Sequence, residues 1–197
     1  QVVHAHDWQA GLIPALLERG FQHALPATRS VFSIHNIAYQ GAFWHFDMKL
    51  TGLDWALFNP LHLEHYGRLN FLKAGIVFAD RVTTVSRRYA EEIQRDEFAY
   101  GLEAVIAGQR FKLSGITNGI DTTQWDPTAD RHLPAAFSAK NLAGKSICKK
   151  KLREECALID SSRACVMGVV SRLVEQKGID LVIDAVEPYV LDGRLQL

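Results

Sequence analysis

Histidine, aspartate and asparagine side chains follow two short apolar segments near the start of the chain. The first segment ends in His4, His6 and Asp7, and the second ends in His35 and Asn36. Alternation along a strand places His4 and His6 on the same side, and two imidazoles with a carboxylate could bind zinc. A neutral imidazole beside an amide instead suits hydrogen bonding to hydroxyl groups, as in sugar recognition, and His35 could also transfer protons. Each group also has a structural interpretation, in which a histidine closes a strand end and Asn36 stabilises a turn.

A turn near the end of the chain carries two cations. The segment Ser171–Gly178 follows an apolar run and contains Arg172 and Lys177, with Lys177 at the predicted start of a helix. Free N–H groups and the helix dipole attract anions to such a start. An arginine fork and a lysine ammonium group are both good phosphate ligands. Because cations here oppose the usual dipole preference, the pattern favours a bound diphosphate over two solvated surface charges.

The overall composition excludes several classes of protein. The chain has 197 residues, of which 48% are hydrophobic and 22% charged, as is typical of a globular protein. Lys plus Arg and Asp plus Glu both number 22, so no global charge favours nucleic acid or an acidic membrane surface. No apolar run approaches the length of about 18 residues that a membrane span needs. Three cysteines fit unpaired thiols in a reducing cytoplasm. We therefore expect no nucleic acid, no membrane partner and a cytoplasmic location.

Strand and helix patterns alternate along the whole chain. Predicted strands cover residues 1–6, 30–35, 81–86, 113–117, 164–170 and 194–197. Predicted helices cover residues 8–19, 61–78 with breaks near Gly67 and Gly75, 87–95, 97–108, 138–157 and 177–191. Ser86 is a predicted N-cap and Gly20 a predicted C-cap. Nearly continuous apolar strands separated by helices predict parallel sheets with helices on both faces, which is a doubly wound α/β architecture.

The predicted elements also position the polar side chains. In a doubly wound sheet, function lies at the carboxyl ends of the strands. Four polar groups fall at predicted strand ends: His4–Asp7, His35–Asn36, Asn118 and Ser171–Arg172. Composition alone places a boundary between two α/β units near residues 110–140, where the chain becomes polar and contains prolines.

Six motifs together resemble the ADP-glucose-dependent starch and glycogen synthase family of retaining glycosyltransferases. They occur in the family's order and are His4-Ala-His-Asp-Trp-Gln-Ala-Gly11, His35-Asn-Ile-Ala-Tyr-Gln-Gly41, Phe71-Leu-Lys-Ala-Gly75, Phe98-Ala-Tyr-Gly-Leu-Glu103, Asn118-Gly-Ile-Asp121 and Ser171-Arg-Leu-Val-Glu-Gln-Lys-Gly178. The resemblance implies a GT-B fold, in which two Rossmann-like doubly wound domains face each other across a cleft. Both domains would be only partly present. Residues 1–113 would form the second half of the N-terminal, acceptor-side domain, and residues 114–197 the start of the C-terminal, nucleotide-sugar-binding domain.

The resemblance also implies roles for individual residues. Arg172 and Lys177 match cations that bind the distal phosphate of ADP-glucose and stabilise the leaving diphosphate, in agreement with the interpretation above. His35 matches a histidine that contacts the transferred glucose near its 6-hydroxyl and the reacting carbon. Asp7 matches an aspartate that lines the glucose and acceptor region. Asn118 matches an asparagine at the hinge, which faces the cleft.

The activity that the resemblance implies is transfer of glucose from ADP-glucose to an α-1,4-glucan such as glycogen. Glucose would join the 4-hydroxyl at the non-reducing end with retention of configuration, and no metal and no organic cofactor is expected. The catalytic residues would be His35, Asp7, Arg172 and Lys177. Three alternatives stay open: another nucleotide-sugar transferase of the same fold, a metal-dependent hydrolase that uses His35 with the His-x-His-Asp group, and a non-catalytic glucan-binding module.

The chain resembles an internal part of a longer protein. It begins at Gln1, and Arg194–Leu197 is the predicted opening of another strand. By the resemblance, a Lys-Thr-Gly-Gly-Leu loop that approaches the nucleotide diphosphate would precede residue 1. An acidic Glu-Pro-Cys-Gly-Leu-Thr segment that grips the sugar would follow residue 197. We therefore expect the 197 residues alone to be inactive.

Overall fold

The computed structural model describes every residue from Gln1 to Leu197. The chain forms two compact units, Gln1–Gly119 and Ile120–Leu197, which are described separately. The assignment of residues 1–113 to an acceptor-side domain and of residues 114–197 to a nucleotide-sugar-binding domain stays a prediction.

Strands and helices alternate through the first unit. Its strands are β1 (Val2–His6), β2 (Arg29–Ile34), β3 (Ala42–Trp44), β4 (Glu64–His65), β5 (Arg68–Asn70), β6 (Arg81–Thr84) and β7 (Leu113–Gly115). Its α-helices are α1 (Leu12–Arg19), α2 (Phe71–Phe78), α3 (Arg87–Glu92), α4 (Asp96–Ala99) and α5 (Glu103–Gly108). Short 3-10 helices occupy Trp8–Ala10, His45–Thr51, Trp55–Leu57 and Arg110–Lys112.

A four-stranded parallel sheet forms the centre of the first unit. Its strand order is β1-β2-β6-β7, while β3, β5 and β4 form a separate antiparallel sheet. The parallel strands share one apolar core with α2, α3 and α5; its fully buried side chains include Phe32, Ile34, Leu72, Val82 and Ile106. The predicted α/β class with a parallel sheet is confirmed.

Helix α2 packs against the sheet at Gly75, a residue that has no side chain. Asn70 caps its N-terminus, since the Asn70 Oδ1 accepts a hydrogen bond from the Lys73 N–H at 2.8 Å. The helix continues through Gly75, where a Cβ atom would lie 2.5 Å from the buried Phe32 ring. Glycine therefore lets α2 approach β2 closely enough for Phe32 to fill the space between them.

Replacing Gly75 with alanine is expected to destabilise the protein although alanine favours helices. The added methyl group would overlap the fully buried Phe32 ring, and overpacking of this kind costs about 1–3 kcal/mol. Gly108→Ala, at the end of α5, is the matched control because nothing lies within 4 Å of a Cβ atom there. Chemical denaturation measures both free energies of unfolding, and equal values for the two variants would contradict the packing argument.

The predicted helix over residues 61–78 is wrong except for α2, although the break predicted near Gly67 is present. Tyr66 and Gly67 have φ values of 49° and 74° and connect the antiparallel strands β4 and β5. Two consecutive residues with positive φ form the tight turn whose twist matches that of a hairpin. The expected break at Gly75 does not occur, and α2 continues through this residue. The glycine is needed for packing instead, because Phe32 occupies the space that a side chain would need.

The predicted helix over residues 97–108 is interrupted in the structure. Tyr100 and Gly101 have φ values of 52° and 84°, and this left-handed pair separates α4 from α5. Both predicted caps are present: the Ser86 hydroxyl accepts the Tyr89 N–H at 2.9 Å, and Gly20 ends α1.

The second unit contains two longer helices and a small parallel sheet. Its elements are α6 (Ala143–Glu155), β8 (Cys165–Val166), α7 (Ile179–Leu191) and β9 (Leu195–Gln196), with a 3-10 helix at Glu175–Lys177. In neither unit does any helix have the length and apolar character needed to cross a membrane.

Two predicted elements of the second unit are longer than the observed ones. The helix expected over residues 138–157 begins only at Ala143, because Ser138 and Asn141 hydrogen-bond to each other across a turn. The strand expected over residues 164–170 is regular only at β8, where β9 supplies its hydrogen-bonding partner. An apolar run therefore predicted a longer strand than the pairing supports.

Candidate functional site

The carboxyl ends of β1 and β2 meet at one edge of the parallel sheet. In the strand register His6 lies beside Ser33, and Ser33 lies beside Thr83 of β6. His35 comes directly after β2. The burial pattern of β1 leaves His4 and His6 exposed on either side of a buried alanine, as period-two alternation predicts. This edge therefore collects the histidines that the sequence places at the ends of two separate strands.

Three imidazoles form a continuous row at this edge, which we call the imidazole row (His4, His6 and His35). The His4 and His6 ring centroids are 4.1 Å apart, and those of His6 and His35 are 5.2 Å apart. His4 Nε2 lies 2.8 Å from the Ser33 hydroxyl, which in turn lies 2.5 Å from the Thr83 hydroxyl. Partial burial, and then repulsion from the other two imidazoles, hold the pKa of His4 below its usual value. The neutral, hydrogen-bonding form of His4 is therefore favoured.

Asp7 connects the imidazole row to the turn that follows β1. Its Oδ1 accepts a hydrogen bond from the His35 backbone N–H at 2.8 Å, and its own N–H donates to the Ser33 carbonyl at 2.9 Å. Its φ of 54° and ψ of −178° lie in a region that is essentially restricted to glycine. Such a conformation costs about 1–3 kcal/mol. The fold thus retains a strained aspartate where its carboxylate fixes the backbone of His35.

The loop that begins at His35 is held by side chains from two sides. Asn36 Oδ1 accepts the Ala38 N–H at 3.0 Å, so the turn-stabilising interpretation of Asn36 is the one that the structure shows. The Ile37 N–H donates to the Tyr89 hydroxyl at 3.0 Å, and burial raises the pKa of that hydroxyl. Helix α3 therefore supports the loop through a phenol that stays protonated.

The far end of the same loop is fixed by an amide network and by close packing. Gln40 Nε2 donates to the Tyr100 carbonyl at 2.9 Å, and Gln40 Oε1 accepts from Asn70 Nδ2 at 2.8 Å. Gly41 has a φ of 60°, and a Cβ atom there would lie 2.4 Å from the Trp8 ring. The glycine is therefore required both by backbone conformation and by contact with the indole.

The geometry gives no support to the metal-dependent hydrolase. His4 Nε2 is directed at Ser33, and His6 Nδ1 is directed at His35 Nε2, so these nitrogen atoms are engaged with protein groups. No three or more His, Cys, Asp or Glu side chains are grouped so that they could hold a metal ion. Imidazole and carboxylate groups in this arrangement are instead suited to hydrogen bonds with hydroxyls.

Arg172 and Lys177 lie in an exposed turn before α7. Gly178 takes a φ of 61° and the helix begins at Ile179, with no side chain capping its N-terminus. The first N–H groups of the helix therefore have no intrahelical partner. Neither cation takes part in an ion pair of the chain. Lys177 lies two residues before the start of α7, Arg172 lies earlier in the same exposed segment, and their binding of an anion stays a prediction.

Asn118 lies in an irregular, exposed segment after β7, one residue before the first unit ends at Gly119. Its proposed role as a hinge residue stays a prediction.

Sequence reasoning missed the polar residues that support the site. Ser33 hydrogen-bonds to His4, and Thr83 hydrogen-bonds to Ser33. Both are polar residues inside strands, and a polar residue within an apolar strand pattern was a signal that could have identified them. Tyr89 supports the loop through a contact between residues 52 positions apart, and no local pattern identifies it.

Together, the fold and this edge define an α/β protein whose candidate site lies at the carboxyl ends of parallel strands. Residues 1–108 match the family described as starch synthase catalytic domain. The glycogen synthase of Anaeromyxobacter sp. (strain Fw109-5) is 47% identical over 186 residues, and that of Myxococcus xanthus (strain DK1622) is 48% identical over 186 residues. Each alignment covers 93% of this chain and 39% of the relative.

One solved structure is similar over nearly the whole chain. The catalytic domain of starch synthase IV from Arabidopsis thaliana, bound to ADP and acarbose, matches with a TM-score of 0.90 and 35% identity. The match covers 98% of this chain and 40% of that one. The chain belongs to the starch synthase catalytic domain family, and it spans about two fifths of the length of the curated relatives it matches.

Proposed function

We propose that the protein containing this chain transfers glucose from ADP-glucose to the non-reducing 4-hydroxyl of an α-1,4-glucan, with retention of configuration. It would be a hexosyltransferase of glycogen or starch synthesis. Family membership supports the reaction class, and the starch synthase IV structure bound to ADP and acarbose supports a nucleotide-sugar donor and a glucan acceptor. The observation that carries the proposal is that Arg172 and Lys177, in the segment that leads into α7, are both exposed and form no ion pair.

The two cations would act on the leaving diphosphate. As the glycosidic bond to phosphate breaks, the anomeric carbon gains oxocarbenium character and negative charge grows on the departing oxygen. Arg172 and Lys177 would stabilise that charge more strongly in the transition state than in the bound donor, which is what lowers the barrier. The acceptor hydroxyl would attack on the face from which the diphosphate leaves and would transfer its proton to the phosphate oxygen. Retention follows without a carboxylate nucleophile.

His35 and Asp7 would act on the transferred glucose. One carboxylate oxygen of Asp7 already holds the His35 backbone N–H, and a carboxylate has further acceptor capacity for sugar hydroxyls. The His35 imidazole would orient the ring near its 6-hydroxyl. Asn118 would contact the substrates at the hinge.

The direct test is glucose incorporation into glycogen by the full-length protein that contains this chain. With radiolabelled ADP-glucose, we expect label in the polymer and release of ADP. Parallel assays with other nucleotide sugars separate this activity from that of another transferase of the same fold. Release of free glucose without incorporation, in a protein that carries stoichiometric zinc, would instead favour the hydrolase.

The 197-residue chain alone is expected to transfer no glucose from ADP-glucose, because it spans only 39% of its curated relatives. The same incorporation assay, run beside the full-length protein at equal concentration, checks this. A glucan-binding module would behave differently: the short chain would bind glycogen in a pull-down, and the full-length protein would not catalyse transfer.

We further propose that the protein works in the cytoplasm. All three cysteines are unpaired, which fits a reducing compartment.

A further inference from the structure

His6 has no role in the proposed chemistry, yet it makes the only hydrogen bond to the His35 side chain. His6 Nδ1 lies 3.0 Å from His35 Nε2, and the rings are inclined by 36°. His35 is otherwise held through its backbone N–H by Asp7, which fixes the main chain and leaves the ring to rotate. The contact with His6 is therefore what restricts the orientation of the His35 imidazole.

The same contact constrains the protons of both rings. A neutral imidazole has one N–H donor and one acceptor nitrogen, so a bond between two imidazoles requires one ring to donate and the other to accept. The tautomer of a histidine is set by the bond that its other nitrogen makes. Neutral histidine in water prefers the proton on Nε2. If His35 donates from Nε2 to the Nδ1 lone pair of His6, both rings keep this preferred form.

We propose that His6 is a positioning residue that holds His35 as the Nε2–H tautomer, so that His35 Nδ1 presents a lone pair to the ligand. The role toward the sugar rests on the proposed function, in which Nδ1 accepts a hydrogen bond from a glucose hydroxyl. The tautomer itself does not, because it follows from the contact between two protein side chains.

Imidazole nitrogen NMR of the full-length protein, labelled with nitrogen-15 in histidine, tests the tautomer without any substrate. Spectra are recorded about one unit or more above the ordinary histidine pKa, so that the rings are neutral. Protonated and unprotonated ring nitrogens differ strongly in chemical shift, and a His35→Gln variant assigns the signals. We expect His35 to carry its proton on Nε2 and His6 to have an unprotonated Nδ1. A proton on His35 Nδ1, or averaged shifts in the unmodified protein, would overturn the proposal.

Two substitutions of His6 separate positioning from packing. His6→Asn places an amide oxygen close to the position of Nδ1, where it can still accept from His35, whereas His6→Leu cannot. We expect a single His35 tautomer in the asparagine variant and averaged His35 shifts in the leucine variant. His4→Gln is the matched control, because His4 contacts the His6 ring but hydrogen-bonds to Ser33. An unchanged His35 tautomer in His6→Leu, or the same averaging in His4→Gln, would contradict the assignment.

Steady-state kinetics then connect the tautomer to catalysis. We expect His6→Leu to lower kcat by about 10–100-fold, by analogy with the loss seen when a metal-bound histidine loses the hydrogen-bond partner that orients it, with much less change in the KM for ADP-glucose. His6→Asn should recover most of kcat. If the unmodified protein transfers no glucose but the NMR results hold, the proposed function fails and the tautomer assignment stands. If transfer is normal in His6→Leu, the positioning role fails and the proposed function stands.

Discussion

Lys177→Ala in the full-length protein is expected to slow glucose transfer from ADP-glucose by about 100–1,000-fold, the loss typical of one preorganised group that stabilises transition-state charge. Lys177 is exposed and takes part in no ion pair, so no protein carboxylate already neutralises it. The developing charge on the leaving diphosphate would then be its main partner. Initial rates over a range of ADP-glucose concentrations measure the effect, which we expect mainly in kcat because the interaction strengthens as the bond breaks.

Lys150→Ala on α6 is the matched control for this substitution. Lys150 is also an exposed lysine of the second unit without an ion pair, but it lies within a helix and not beside a helix start. We expect it to transfer glucose at the unmodified rate. Arg172→Ala should resemble Lys177→Ala, because both cations are assigned to the same diphosphate. Full turnover in Lys177→Ala, or an equal loss in Lys150→Ala, would contradict the role proposed for Lys177.

Much of the site could be predicted because its determinants are local in sequence. Strand alternation places His4 and His6 on one side, and the rule for doubly wound sheets places them with His35 at the carboxyl edge. The structure brings these residues together as those rules require. The partner of each ring nitrogen could not be predicted, because Ser33 and His35 are each 29 residues from the histidine they contact.

Two errors in the predicted elements of the first unit share one physical origin. Apolar runs and helical periodicity report burial, but they do not report backbone conformation at single residues. Tyr66 and Tyr100 both adopt positive φ, which is uncommon for a residue with a side chain, and each turns the chain where periodicity predicts a helix. The glycine that follows each tyrosine is the signal in the sequence. It supported the break predicted near Gly67, but no break was predicted at Gly101. Gly75 shows the opposite case, in which a glycine marks close packing inside a continuous helix.

Asp7 offers a test that separates stability from activity, because its backbone is strained and its carboxylate is used. We expect Asp7→Gly to be more stable than Asp7→Ala by about 1 kcal/mol. Glycine relieves a strain of about 1–3 kcal/mol that alanine retains, and its greater freedom in the unfolded chain offsets about 0.5–1 kcal/mol of that gain. Denaturant titration of both variants measures the difference in the free energy of unfolding.

The same pair of variants should lose activity together. Both remove the carboxylate that holds the His35 backbone N–H and that we assign to sugar hydroxyls. A hydrogen bond to a charged group contributes about 1.5–3 kcal/mol, which corresponds to a fall in glucose transfer of roughly 10–100-fold. Because the glycine variant folds more stably than the alanine variant, equal losses of activity could not be attributed to unfolding. An active Asp7→Gly enzyme would show that the site does not require the carboxylate.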